Sequence, residues 1–80
     1  MRLDKYLKVS RIIKRRAIAK QLASEDRVKV NDKIAKPSTE VFVGDIIEIN
    51  FEHKRILCEI IELDPKLFHK DGMMYKLLDI

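Results

Sequence analysis

The sequence predicts an α+β domain: two N-terminal helices packed on a small, mostly antiparallel sheet, with a β extension at the C-terminal end. Three observations predict it. Apolar residues recur at helical spacing as far as residue 24. From Val28 onward they alternate with polar residues, as in half-buried strands. Only two glycines and two prolines punctuate 80 residues, so the connections should be short. That length suits one domain over residues 1–80, with a modest core and no deep cavity.

The first helix is expected over residues 2–9. Leu3, Tyr6 and Leu7 form its apolar stripe, and Arg2, Lys5 and Lys8 fall off that stripe. Asp4 lies in the first turn, where a carboxylate suits the helix dipole and can pair with Lys8 one turn on. Residues 10–14 read as a turn with Ile12 and Ile13 tucked inward. A second helix should run over about residues 15–24. Ile18 and Leu22 share its apolar face with Ala19 and Ala23 beside them, while Arg16 and Lys20 share another face.

Strands follow. Val28 and Val30 alternate with Arg27 and Lys29, Asn31-Asp32 supplies a tight turn, and Lys33-Ile34-Ala35 continues beyond it. Pro37, Ser38 and Thr39 mark a loop. Val41 and Val43 precede the Gly44-Asp45 turn, and residues 46–51 form a strand in which Ile47, Ile49 and Phe51 alternate. A polar turn at 52–55 leads to a strand over 56–63, closed by Asp64-Pro65. Residues 66–72 read as a loop and 73–78 as a last strand. The expected core contains Leu3, Leu7, Ile18, Leu22, Val28, Val30, Ile47 and Ile49.

The net charge of +4 conceals an asymmetry. Residues 1–36 carry twelve cations against four carboxylates, a net +8, and residues 37–80 carry five against nine, a net −4. Solubility alone would intersperse the signs. Concentrated positive charge repels itself, and a polyanionic partner relieves that repulsion. The sharpest concentration is Lys14-Arg15-Arg16 at the start of the second helix. A helix N-terminus ordinarily takes a Ser, Thr or Asp cap and acids in its first turn. Cations there oppose the helix dipole, yet combined with free backbone N–H groups they suit a phosphate.

Other classes find little support. The apolar runs are too short to span a membrane, and the N-terminus has no secretory signal. Cys58, the single cysteine, sits in an apolar run and reads as a buried structural thiol. Cys58, His53 and His69 lack the spacing of a zinc site. No glycine-rich phosphate loop, nucleophile and base pairing, or cofactor motif is visible, so neither catalysis nor a cofactor is expected.

In order, the chain presents Arg2-Leu3-Asp4-Lys5-Tyr6-Leu7, Lys14-Arg15-Arg16-Ala17-Ile18-Ala19, Val28-Lys29-Val30-Asn31 and Gly44-Asp45-Ile46-Ile47-Glu48-Ile49. This series over residues 1–50 resembles the small RNA-binding domain named after ribosomal protein S-four, the alpha-L motif, which leaves residues 51–80 as a β-strand extension. The opening Met-Arg-Leu-Asp-Lys-Tyr-Leu-Lys-Val-Ser-Arg, followed by Ile-Ile-Lys-Arg-Arg, looks like the RqcP and fifteen-kilodalton heat-shock group, without the long basic tail of the heat-shock relatives. Two departures stand out. Asn31-Asp32 replaces the family's common Asn-Gly, which predicts a looser turn. Arg15 replaces a common Ser or Thr cap, adding a cation where a phosphate would sit.

The RNA-binding candidates are Arg2, Lys5, Lys8, Arg11, Lys14, Arg15, Arg16, Lys20, Lys33 and Lys36. Lys14, Arg15 and Arg16 head them, and Arg2, Lys5 and Lys20 follow, because the two helices should present these on one face. Lys8, Arg11, Lys33 and Lys36 extend the electrostatic footprint. Ser38 and Thr39 could donate to phosphate or simply cap their loop. The resemblance implies that Asp4 orients Arg16, so that a fixed guanidinium meets the phosphate. Tyr6 is read as core rather than as a base-stacking ring.

The resemblance further implies a non-catalytic, cytoplasmic, monomeric factor of ribosome-associated quality control. It would bind large-subunit rRNA and tRNA or peptidyl-tRNA on a dissociated large ribosomal subunit. It would hold the tRNA in the P site while an RqcH/NEMF-type partner adds C-terminal alanine tails. Two other readings stay open: an RNA-binding module serving an enzyme such as a pseudouridine synthase, and a small basic protein binding nucleic acid without preference.

Overall fold

A computed structural model describes residues 1–64, 66 and 74–78. Helix α1 spans Leu3–Val9 and α2 spans Arg16–Ser24, each starting one residue later than the sequence reading. The strands are β1 (Val28–Val30), β2 (Lys33–Ile34), β3 (Ile46–Asn50), β4 (Arg55–Ile60) and β5 (Tyr75–Leu77). They form one sheet in the order β2-β1-β3-β4-β5, and every neighbouring pair is antiparallel. β4 begins and ends earlier than the expected 56–63. Within the expected last strand, Met73 lies outside the described residues, as do Pro65, His69 and Gly72.

Period-two alternation sets the sheet face. Val28, Ile47, Ile49, Cys58 and Ile60 are buried, and Val30 is half-buried. Leu3, Tyr6 and Leu7 of α1 join that core without exposure. The Tyr6 hydroxyl donates to the Met74 carbonyl at 2.8 Å, linking α1 to the residue before β5. A ring held this way cannot stack on a base, and burial pushes its phenol pKa well up. Burial likewise pushes the Cys58 thiol up to about 11, the behaviour of an inert structural cysteine.

The α2 expectation needs a correction. Ala19 and Ala23 are fully buried, Leu22 is half-buried, and Ile18 is 44% exposed. A helix period places Ile18-Leu22 and Ala19-Ala23 on adjacent stripes, and periodicity alone does not rank them. The packing turns the two alanines inward, which leaves Ile18 at the margin.

Both helices end on a non-glycine residue in the left-handed region, Arg11 at φ 65° and Asp26 at φ 61°. After α2, Asp26 N–H donates to Ala23 and Arg27 N–H to Leu22, satisfying two terminal carbonyls. The β1–β2 turn is also left-handed at Asn31 (φ 51°) and Asp32 (φ 68°). It is not loose, as the missing glycine suggested. Asn31 Oδ1 accepts from Ile46 N–H at 2.9 Å, and its Nδ2 donates to Asp45 Oδ1 at 3.1 Å. The Asn side chain ties the turn to the start of β3 and offsets what Asp32 loses in a conformation glycine adopts freely.

Candidate nucleic-acid interface

The basic surface is built on a short backbone pairing. Arg2 bridges antiparallel to Glu40, with Leu3 N–H donating to Thr39 O at 2.8 Å and Val41 N–H to Met1 O at 2.9 Å. Leu3 and Val41 point into the core, so Arg2 and Glu40 point out. Glu40 is taken up by the N-terminal ammonium.

Asp4 is the centre of the site. Only 2% exposed, it receives two guanidinium groups from different elements. Arg2 Nε lies 3.2 Å from Oδ1 and Nη2 3.4 Å from Oδ2. Arg16, at the first position of α2, places Nε 3.4 Å from Oδ2 and Nη2 3.4 Å from Oδ1. The Lys5 N–H adds a 2.8 Å bond to Oδ1. Desolvation raises the carboxyl pKa, but the bonds from Arg2, Arg16 and Lys5 outweigh it and hold Asp4 below the usual carboxylate range. Two cations therefore share one anion, and both arginine side chains stay about half exposed. Each retains N–H donors that Asp4 does not use, in a planar fork that matches a phosphate.

The sequence linked Asp4 to Arg16 through the resemblance but missed Arg2, which lies only two residues from Asp4 in the chain. The anticipated Asp4–Lys8 pair does not form. Asp4 turns inward toward α2, and Lys8 makes no ion pair among the described residues.

The start of α2 matches the expectation of an uncapped basic N-terminus. Arg15 is the N-cap in extended conformation (φ −121°, ψ 130°), makes no side-chain cap bond, and no acid stands in the first turn. Lys14, Arg15 and Arg16 are all exposed there, with Lys20 one turn further along. Lys5 and Lys8 occupy the solvent side of α1, and Arg11 follows it in its left-handed corner.

The remaining candidates are placed differently. Lys33 is exposed on β2. Lys36 pairs with Asp26 and is partly neutralised. Thr39 caps its loop: its Oγ1 accepts from Lys36 N–H at 2.8 Å.

Residues 1–47 match the S4 domain model. The chain is 48% identical over 79 residues to the RQC P-site tRNA stabilizing factor of Streptococcus pneumoniae, spanning 98% of this chain and 90% of that protein. The chain belongs to the S4-domain family of RQC P-site tRNA stabilizing factors. The factor of the same name from Bacillus subtilis is 42% identical over 79 residues, covering 98% of this chain and 92% of its own. That of Listeria innocua is 52% identical over 64 residues, covering 80% and 70%. Among solved structures, the trimeric heat shock protein 15 of Vibrio cholerae shares the fold with a TM-score of 0.82 at 26% identity, over 98% of this chain and 81% of that one. In this family member, the matched segment contains every element that builds the Arg2-Asp4-Arg16 cluster.

Proposed function

We propose that this chain is a non-catalytic RNA-binding factor that stabilises P-site tRNA during ribosome-associated quality control. The observation that carries the reading is the pair of arginines from separate elements, fixed on one buried carboxylate and flanked by Lys14, Arg15 and Lys20. Such a cluster recognises structured RNA by phosphate position and helix shape, because side chains cannot read the deep groove of an RNA duplex. Arg2, Arg16 and the start of α2 would make the fixed contacts. Lys5, Lys8, Arg11, Lys33 and Lys36 would add to the surrounding potential.

In this reading the protein works in the cytoplasm as a monomer. It contacts large-subunit rRNA and the tRNA together, and leaves alanine tailing to an RqcH/NEMF-type factor. Residues 1–50 act as the RNA-binding motif, and residues 51–80 extend its sheet. The test is sedimentation of tagged protein from cells with stalled translation. Recovery with large-subunit particles carrying tRNA is expected. Exclusive recovery with small subunits, or co-purification with an RNA-modifying enzyme instead of ribosomal particles, would overturn the reading.

A further inference from the structure

The turn at residues 42–45 exposes two adjacent apolar side chains, Phe42 and Val43, each 59% exposed. Single exposed apolar residues are ordinary on protein surfaces. Here, however, the backbone beneath them is pinned. Phe42 N–H donates to Asp45 Oδ2 at 2.9 Å, and Asp45 N–H returns to Phe42 O at 3.1 Å. Gly44 N–H donates to Ile60 O at 2.8 Å, and Ile60 N–H to Asp45 O at 2.9 Å. Gly44 sits at φ +94°, a left-handed value that lets the chain turn there without strain. The ring thus stands on a rigid base, and little backbone order remains to be lost on binding.

Its position is informative. Glu40 and Phe42 are exposed and Val41 between them is buried, so the two exposed side chains leave on the same side. Arg2 lies directly across from Glu40 in the antiparallel bridge. Phe42 is two residues beyond Arg2's bridge partner, the diagonal position from which, in a regular antiparallel ladder, aromatic and long side chains reach one another. The intervening Glu40 carboxylate is engaged by the N-terminal ammonium. An exposed aromatic face next to an arginine with donors to spare is the combination that binds an unpaired nucleotide, the base on the ring and its phosphate on the cation.

We propose that Phe42 is a stacking platform for an unpaired nucleobase, placed so that a flanking phosphate reaches Arg2. The proposal rests on the RNA-binding reading and adds a preference that phosphate contacts cannot supply: RNA with an unstacked base is favoured over a continuous duplex.

The chain contains no tryptophan, so F42W introduces a single indole reporter at the ring position. The test measures binding of wild type, F42A, F42W and R16A to two RNA probes: a hairpin with an unpaired purine loop, and a fully paired duplex of equal length. F42A should weaken hairpin binding by at least about fivefold, the lower end of a base–aromatic stack, with little change in its salt dependence. Duplex binding should change little. F42W should bind the hairpin at least as well as wild type, with its indole emission quenched by the hairpin and not by the duplex. R16A should instead weaken both probes and flatten the salt dependence. Equal hairpin affinity of wild type and F42A, with no indole quenching, would overturn the stacking role while leaving the RNA-binding reading intact. Absence of wild-type binding to either probe would overturn both. Normal hairpin binding by F42A, with loss of the protein from ribosomal particles, would assign the turn to a protein contact instead.

Discussion

Two acid–cation clusters in the basic half put the same chemistry to different use. At Asp4 the carboxylate is buried and two arginines converge on it from the N-terminal edge and from α2. At Asp26 the carboxylate is exposed and takes up a single lysine, Lys36. The first arrangement leaves an excess of positive charge with its geometry fixed. The second pairs one cation with one anion, both exposed, and is worth little to the fold, because solvent screens it. Net charge alone therefore does not identify an interface. The count of cations per carboxylate, and the burial of that carboxylate, separate a positioned site from a solvated surface.

Asp4→Ala is the strongest way to break that contrast. It leaves two guanidiniums without their anchor and should cost about 1–2 kcal/mol of stability in urea denaturation. A buried pair would lose more, but both arginines are half in solvent. The variant gains one unit of positive charge, yet its affinity for structured RNA should fall. Tighter binding would show that charge, and no fixed geometry, governs the interaction.

Arg16→Ala should lower RNA affinity with the fold retained and reduce the salt slope of binding by roughly 0.7–0.9, the share of one phosphate contact. Arg16→Lys should restore affinity only in part, because an ammonium lacks the planar fork. Full rescue by lysine would remove the fork from the account.

Acid titration sharpens the comparison from the side of the carboxylate. The folded pKa of Asp4 lies below its ordinary value of 3.8, so the folded state favours the ionised form. Its contribution is present above the ordinary carboxylate pKa and is lost as pH falls through the depressed folded value. Stability curves of wild type and Asp4→Asn should therefore run parallel from pH 8 to about 5 and converge only below pH 4. Convergence near neutral pH would contradict the ion-pair geometry.

The smallest effects belong to the control positions. Lys36→Ala should weaken RNA binding less than Arg16→Ala, since Asp26 already screens Lys36, and should shift stability by no more than about 0.5 kcal/mol. Lys66→Ala, in the acidic half, should change binding little. Losses equal to that of Arg16→Ala at either position would dissolve the distinction between the two clusters.

Much of this molecule is legible in its residues. The apolar spacing of Leu3, Tyr6 and Leu7 and the alternation at Val28, Ile47 and Ile49 locate the helices and strands, because burial periodicity is a local property of the backbone. The uncapped Lys14-Arg15-Arg16 start of α2 and the +8 charge of residues 1–36 mark the basic surface for the same reason. Relations between segments were settled elsewhere. Ala19 and Ala23 displace Ile18 from the core because packing against the neighbouring elements chooses between two adjacent stripes. Arg16 reaches Asp4 because α2 packs against α1, and Arg2 comes to face Glu40 because residues 1–3 pair with residues 39–41, distant in sequence. Phe42 stands exposed two residues beyond Glu40, Arg2's partner in that pairing, whereas Lys36 is drawn to Asp26. Residue type and spacing determine which groups are basic, apolar or left-handed, and only the folded chain decides which of them meet, since each meeting depends on contacts that no short window of sequence contains.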